Sequence, residues 1–417
     1  MLTLIGRITS LLGGFGILLV GNGFLGTLLG VRAGLEAFPA PVLGAVMSAY
    51  FLGFLLGTLR GPGLIRRVGH IRAYAAAAAV ASIAAAGHGL TVNPWIWGLL
   101  RAAAGFNLAT LYMALESWLS AEAGSDRRGR LLAAYTIVNL LAGALGQYLI
   151  LAADPRSPTP FTLAAMLLSL GLVPVALTRV PEPGAVPEVR LDLRRLHRVS
   201  PLAVAGALAS GLANGALWGL GPLFAQRVGL SELGIAAFMS AVILGGAALQ
   251  WPIGRLSDRF DRRKVLVGAC FAGVAAALGG LAAAGAATPL VLCAFLYGGP
   301  AFALYSLSLA HANDHAAPEE VLETTRGLLL LYGLGAAAAP IAAGALMGAW
   351  GPRSLFAHFA AVLALVGVYG LLRMIRRESV PVDSQEVFVP LARTSQAALE
   401  MLPSAGRSRS GAPPAGR

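Results

Sequence analysis

Twelve stretches of this 417-residue chain are each apolar over about twenty residues or more: 8–29, 39–59, 72–92, 94–120, 131–153, 160–179, 201–224, 234–254, 265–286, 288–311, 326–348 and 352–374. A helix rises 1.5 Å per residue, so roughly 20 apolar residues match the hydrocarbon core of a bilayer, where backbone polar groups must be satisfied within the helix itself. The expected fold class is therefore an all-α polytopic membrane protein with twelve transmembrane helices. Composition agrees: 57% of residues are hydrophobic and only 12% charged, against about a quarter charged in a soluble chain. The N-terminal run is too long for a cleaved signal, and no A-x-A site follows it, so it reads as the first span.

The net charge of +12 does not point to nucleic acid, because the cations sit in the connections. Placing the N-terminus in the cytoplasm puts 26 of the 31 Arg and Lys on the inside and 4 outside, with Arg101 left over. That asymmetry orients the chain with both termini cytoplasmic, in a bacterial inner membrane. The two cysteines, Cys270 and Cys293, both fall in apolar segments, which argues against a disulfide framework.

The longest internal connection, 180–200, is Pro-rich and then basic, and divides the chain near its middle. The two sides repeat weakly. GLIRRVGHIR after span 2 answers to GRLSDRFDRRK after span 8, about 192 residues later. LLAAY, Leu131 to Tyr135, answers to LLLLY, Leu328 to Tyr332, 197 residues later. A constant offset of nearly half the chain implies a duplicated unit. The expected organisation is a six-helix half over 1–179, a cytoplasmic loop over 180–200, a second six-helix half over 201–374, and a polar, disordered cytoplasmic tail over 375–417. Two such halves around a central pathway are a transporter architecture, with the binding site near the midplane.

Residues 93–135 carry the strongest functional signal. A charge at membrane depth is costly and marks function by default; here Arg101 lies a third of the way into span 4 and Glu116 near its far end. Helical spacing stacks Arg101, Gly105, Leu108 and Tyr112 on one face, with Glu116 slightly rotated from it. Of nineteen acids, only Glu116 lies inside a span, with Glu36 and Asp314 at edges. Arg101 reads as a substrate anchor or as a pin between helices. Glu116 reads as a gate residue paired with Arg60, Arg66 or Arg67, in preference to a proton site. Further polar candidates for the cavity are Asn22, Asn107, Asn139, Gln147, Asn214, Trp218 and Gln250. His311 and His315 have the spacing of a metal pair but no third ligand of matching depth. No metal and no cofactor are expected.

The segment GRLSDRFDRRK resembles the major facilitator superfamily signature, roughly G-x-L-x-D-R-x-G-R-R. Gly254, Leu256, Asp258, Arg259, Arg262 and Arg263 match it, and Asp261 stands where the second Gly is usual. The first-half copy is degraded: Arg67 and Gly69 fit, and Arg66 takes the place of the Asp. Arg101 and Gly105 fit the family's R-x-x-x-G pattern of span 4. ESWLSAEAGSDRRGRLLAAY with Gly143, Gly146 and Gln147, together with YSLSLAHANDH, resembles the YcaD-like subfamily. The drug/proton antiporter signature of span 5 is absent. The resemblance implies a secondary transporter working by alternating access. It also implies a pathway lined by spans 1, 4, 7 and 10, which selects Asn22, Asn214, Trp218 and Tyr305, beside Arg101, Asn107 and Tyr112 on span 4. It implies a cytoplasmic gate in which Asp258 meets the start of span 5 at Arg128 or Arg130, with Arg67, Arg259 and Arg262 nearby.

The expected partners are a small solute, with protons as a candidate coupling ion, and the lipid bilayer; a monomer is the expected state. One deep cation with almost no deep anion disfavours cationic cargo and favours neutral polar or anionic solutes. Efflux of amphipathic toxic compounds is the alternative. A membrane enzyme is disfavoured by the absence of G-x-S-x-G, H-E-x-x-H, a P-loop or paired deep carboxylates. A sensor would normally carry a signalling domain.

Overall fold

The computed structural model describes residues 2–122, 128–178, 192–317, 320–376, 380–382, 385 and 388–389. The first six long helices are α1 (Leu2–Leu35), α2 (Ala40–Val68), α3 (His70–Leu90), α4 (Pro94–Glu122), α5 (Arg128–Gln147) and α6 (Thr159–Leu177). The second six are α7 (Pro201–Arg227), α8 (Glu232–Arg259), α9 (Arg262–Ala282), α10 (Ala287–Asn313), α11 (Val321–Trp350) and α12 (Ser354–Arg376). All twelve are long and apolar enough to cross a membrane. The described residues contain no strand. The helices overrun the expected boundaries most at α1 and at the end of α2, whereas α5 and α9 stop short of their expected ends.

Local chemistry sets the ends. Ser200, Ser231 and Asp261 cap α7, α8 and α9, each side chain accepting from a backbone N–H of the first turn. A short helix, Leu193–Val199, precedes α7 and is capped by Asp192. Gly69 alone separates α2 from α3, with φ 85, a conformation that a Cβ would strain. Residues 179–191 of the central connection and those past 389 in the tail lie outside the described residues.

The bundle has an arginine-rich face, at the ends of α2, α4 and α8, and an arginine-poor face, at the ends of α1, α7 and α11. Helices in lipid associate through close packing of small residues, and the same device recurs in both halves. A Cβ on Gly53 of α2 would lie 2.0 Å from the carbonyl of Ala102 on α4, and one on Gly105 would lie 2.0 Å from that of Tyr50. In the second half, Gly245 of α8 meets Phe295 of α10 at 1.8 Å, and Gly298 meets Val242 at 2.1 Å. The pairs α2/α4 and α8/α10 therefore correspond, which is the duplication seen as packing.

Contacts that join the halves gather toward the arginine-poor face. A Cβ on Gly44 of α2 would lie 2.2 Å from the Pro340 carbonyl of α11, and one on Gly30 of α1 would lie 2.8 Å from Pro222 of α7. Gln226 donates to the Val31 carbonyl at 3.1 Å, and Arg227 donates to that of Phe38 at 2.8 Å. Ser240 of α8 donates to the Ala144 carbonyl of α5 at 2.9 Å. These contacts form a seal at one end of the bundle.

Candidate functional site

A cavity of about 260 Å³ lies between the halves. Its lining includes Asn22 of α1, Tyr50 and Phe54 of α2, Arg101 and Tyr112 of α4, and Asn139 and Gln147 of α5. The other half contributes Trp218 of α7, Gln250 of α8, Phe302 of α10 and Tyr332 of α11. Met47 and Gly219 form its wall beneath the seal, while Thr58, Leu329 and Thr136 extend it toward the arginine-rich face.

Arg101 is only 6% exposed. Its guanidinium carbon sits 4.0 Å over the Tyr50 ring, a cation–π contact. Gly105, one turn on, makes this possible by letting the backbone of α2 come close at Tyr50. Asn22 is hydrogen-bonded to the Tyr50 side chain. The Arg101 Nε–H has no hydrogen-bond partner, and no carboxylate of the described residues pairs with the guanidinium. No lining residue of the cavity is acidic.

The remaining walls are aromatic and amide. Tyr112 meets Phe15 edge-on at 5.0 Å and Phe54 at 6.1 Å. Asn139 donates to the Tyr112 hydroxyl at 3.4 Å. Gln147 accepts from the Thr27 hydroxyl and donates to the Gly143 carbonyl at 2.8 Å. Gln250 donates to Ser306 at 3.2 Å. The arrangement can solvate a polar head at the Arg101 end and cover an apolar body elsewhere.

Of the residues expected at the substrate site, Asn22, Arg101, Tyr112 and Trp218 line the cavity. Three lie outside its lining. Asn107 donates to the Ala103 carbonyl one turn back at 2.8 Å, away from the lining. Asn214 is fully buried and donates to Ser210 and, at 3.1 Å, to the Ala301 carbonyl of α10, so it joins two helices. Tyr305 is 1% exposed and packs edge-on against Tyr332 at 5.5 Å, with Tyr332 between it and the cavity side. Tyr50, Phe54, Phe302 and Tyr332 are among the cavity residues that the sequence reading missed.

The expected gate also differs in detail. Glu116 is fully buried and accepts a hydrogen bond from Tyr135 of α5. Arg60, Arg66 and Arg67, expected as its partners, are all exposed at the end of α2, and Arg66 and Glu116 each make further contacts. Asp258 does not reach Arg130, which is exposed; the side chain of Arg128 lies outside the described residues. Asp258 instead lies 3.7 Å from Arg262 and accepts from the Phe388 backbone N–H at 2.8 Å. Among the described side chains, its partners are Arg262 and the tail. Phe388 itself is 8% exposed and packs on Gly254, so this part of the expected disordered tail is docked.

Arg259 is exposed. Arg262 is 1% exposed and bridges within its own half: it donates to both carboxylate oxygens of Asp314, at 2.7 and 2.8 Å, and to Ser257 at 3.0 Å. Burial pushes the Asp261 carboxyl up, but hydrogen bonds from the Arg263 side chain and backbone outweigh it and hold the group below the ordinary carboxylate value. No cluster of three or more potential metal ligands occurs among the described residues.

The profile of the Major Facilitator Superfamily matches residues 3–329 and 203–404. The chain belongs to the major facilitator superfamily. An uncharacterized MFS-type transporter of Enterobacter sp. (strain 638) is 33% identical over 378 residues, covering 89% of this chain and 97% of the relative. The MFS-type transporter YcaD of Escherichia fergusonii is 30% identical with the same coverage. Among solved structures, the nucleoside transporter NupG superposes with a TM-score of 0.73 at 14% identity, covering 89% of this chain and all of that one. The protein is thus a multi-pass membrane transporter of this superfamily, whose members are generally not enzymes.

Proposed function

We propose that the protein is a secondary transporter that moves a small solute across the bacterial cytoplasmic membrane by alternating access, with both termini cytoplasmic. The supporting observation is the cavity between the halves, sealed at the arginine-poor face and lined at mid-helix by Arg101, Tyr50, Trp218 and Tyr332. The arginine bias makes the sealed face the outer one, so the described conformation is the inward-facing member of the cycle. In the outward-facing member the Gly44–Pro340 and Gln226–Val31 contacts would open, and Asp258 would leave Phe388 to meet the start of α5.

The aromatic walls favour a cargo with an apolar body, and Arg101 favours one with a polar or charged head. Glu116 is outside the lining and held by Tyr135, which favours a gating role over a proton relay. A proton gradient remains a candidate driving force through solute protonation. NupG, a nucleoside transporter by name, supports a polar nutrient or metabolite as cargo, and the apolar walls support efflux of an amphipathic compound as the second reading. The carrier acts as a monomer.

The test is a thermal-unfolding screen of purified protein against metabolites and toxic compounds, since a ligand that binds the folded state raises its apparent stability. Gly26 lines the cavity, and a Cβ there meets nothing within 4 Å, so the side chain of Gly26→Leu is expected to project into the cavity. Ligands that protect the wild type and not Gly26→Leu support the assignment. Equal protection of both would remove the cavity from the mechanism.

A further inference from the structure

The Arg101 charge is uncompensated. Its guanidinium is buried, its Nε–H has no partner, and the other polar groups of the cavity lining are amides and hydroxyls, set among aromatic and aliphatic side chains. Glu116, the one acid deep in α4, is held by Tyr135 and is not among the lining residues. A buried cation is tolerated when a carboxylate offsets it or when water and a mobile counter-ion reach it. With no resident carboxylate, the offset has to be brought in from solution.

We infer that the cargo is a small organic monoanion, a carboxylate with an apolar body, and that Arg101 makes the carrier an obligate one-for-one exchanger of such anions. This rests on the reading of the cavity as the transport site. The class follows from the partner chemistry: a guanidinium with a free edge matches two oxygens of one anion, and an ammonium or neutral amide does not. The single charge follows from the count, because one cation and no anion in the lining are neutralised by one negative charge.

Exchange follows from the same count. Alternation requires an intermediate in which both entrances are shut and water is excluded. Loaded with a monoanion, that intermediate is neutral at Arg101. Empty, it carries a desolvated cation with only the Tyr50 ring against it. The loaded carrier therefore crosses readily in either direction, and the empty carrier is trapped on the side where it released its cargo. A carrier with its own acid beside the arginine could reset by pairing the two; the cavity lining supplies none.

The experiment has two arms. In the first, wild-type protein is challenged with pairs matched in shape and differing in charge: benzoate and benzamide, nicotinate and nicotinamide, lactate and lactamide. The expected result is a rise in the unfolding midpoint with an anion and none with its neutral partner, lost in Arg101→Gln. The matched pairs test the wild type alone, so the inference does not depend on that variant folding. In the second arm, uptake of the stabilising anion is measured in proteoliposomes preloaded with the same anion or left empty. Uptake is expected to be at least tenfold faster into preloaded vesicles and unchanged by an imposed membrane potential.

Equal stabilisation by both members of each pair overturns the anion inference; if Gly26→Leu abolishes that stabilisation, the cavity still stands as the transport site. Equal uptake into empty vesicles overturns exchange. If no compound of either kind stabilises the protein, both the anion inference and the cavity assignment fall.

Discussion

The carboxylate of Asp258, at the end of α8, accepts a hydrogen bond of 2.8 Å from the backbone N–H of Phe388, 130 residues further along the chain. The Phe388 ring lies on Gly254, one turn before Asp258, where a Cβ would come within 2.3 Å of it. The tail thus contacts the acid that matches the family signature, at the arginine-rich end of α8. In the proposed cycle, tail docking and gate closure would compete for the same carboxylate.

Phe388→Ala should release the tail. Burial of a Phe side chain contributes about 2 kcal/mol, so the undocked population rises by more than tenfold. Limited proteolysis should cut the tail correspondingly faster, and a cysteine placed at Thr58, in the cavity wall toward that face, should become less accessible as Asp258 is freed to close the gate. Unchanged labelling at Thr58 in Phe388→Ala would dissociate the tail from the gate.

Two glycines of α4 should respond in opposite directions to the same substitution. Gly105→Ala drives a methyl into the Tyr50 carbonyl, and overpacking of this kind costs about 1–3 kcal/mol. It also lifts Tyr50 from Arg101, so ligand protection should fall along with stability. Gly98→Ala meets nothing within 4 Å and removes a helix-interior glycine, a gain of up to about 1 kcal/mol. Unfolding midpoints of the two variants, measured side by side, decide the matter.

At the seal, Gly44→Val places branched carbon where the Pro340 carbonyl already stands 2.2 Å from a Cβ. The expected outcome is a wedge between α2 and α11 and a shift toward the conformation open at the arginine-poor face. A cysteine at Met47, just beneath the seal, should then react faster with a membrane-impermeant thiol reagent added on that side. A rate equal to that of the parent cysteine protein would argue that the glycine contact does not control opening.

Glu116→Gln keeps an oxygen to accept from Tyr135 and should leave both stability and transport near wild type. Glu116→Ala removes that acceptor from a fully buried site, at a cost of about 1–3 kcal/mol. Loss of pH-driven uptake in Glu116→Gln, with folding intact, would restore this residue as the proton site.

The twelve helices were legible because lipid makes polarity expensive: the apolar runs have almost no other explanation. Arg101 was legible for the same reason. Tyr50 and Tyr332 were not, because an aromatic ring at membrane depth costs nothing and carries no signal of its own. Tyr50 could have been found from Gly53, Gly57 and Gly61, whose spacing marks the face of α2 that meets α4. Asn107, Asn214 and Tyr305 were misplaced because depth along a helix says nothing about which way a side chain faces. Asn214 sits between Gly211 and Gly215, which pack on Tyr332 and Ala336; that flank of small residues already pointed to a helix contact. Phe388 was invisible because a lone aromatic in a polar tail has no periodicity to betray its partner.

The seal at the arginine-poor face is made mainly of glycine, proline and carbonyl contacts, whereas the opposite face is governed by arginines and a few carboxylates. Close packing is indifferent to dissolved ions, and exposed charge pairs are screened over about 8–10 Å at physiological ionic strength. Salt and the acidity of the adjoining lipid leaflet therefore act more strongly at the arginine-rich face than at the seal, where Arg227 and the Arg32–Glu36 pair are the charged members. The protein carries a rheostat on its arginine side and a stiffer stop on the other.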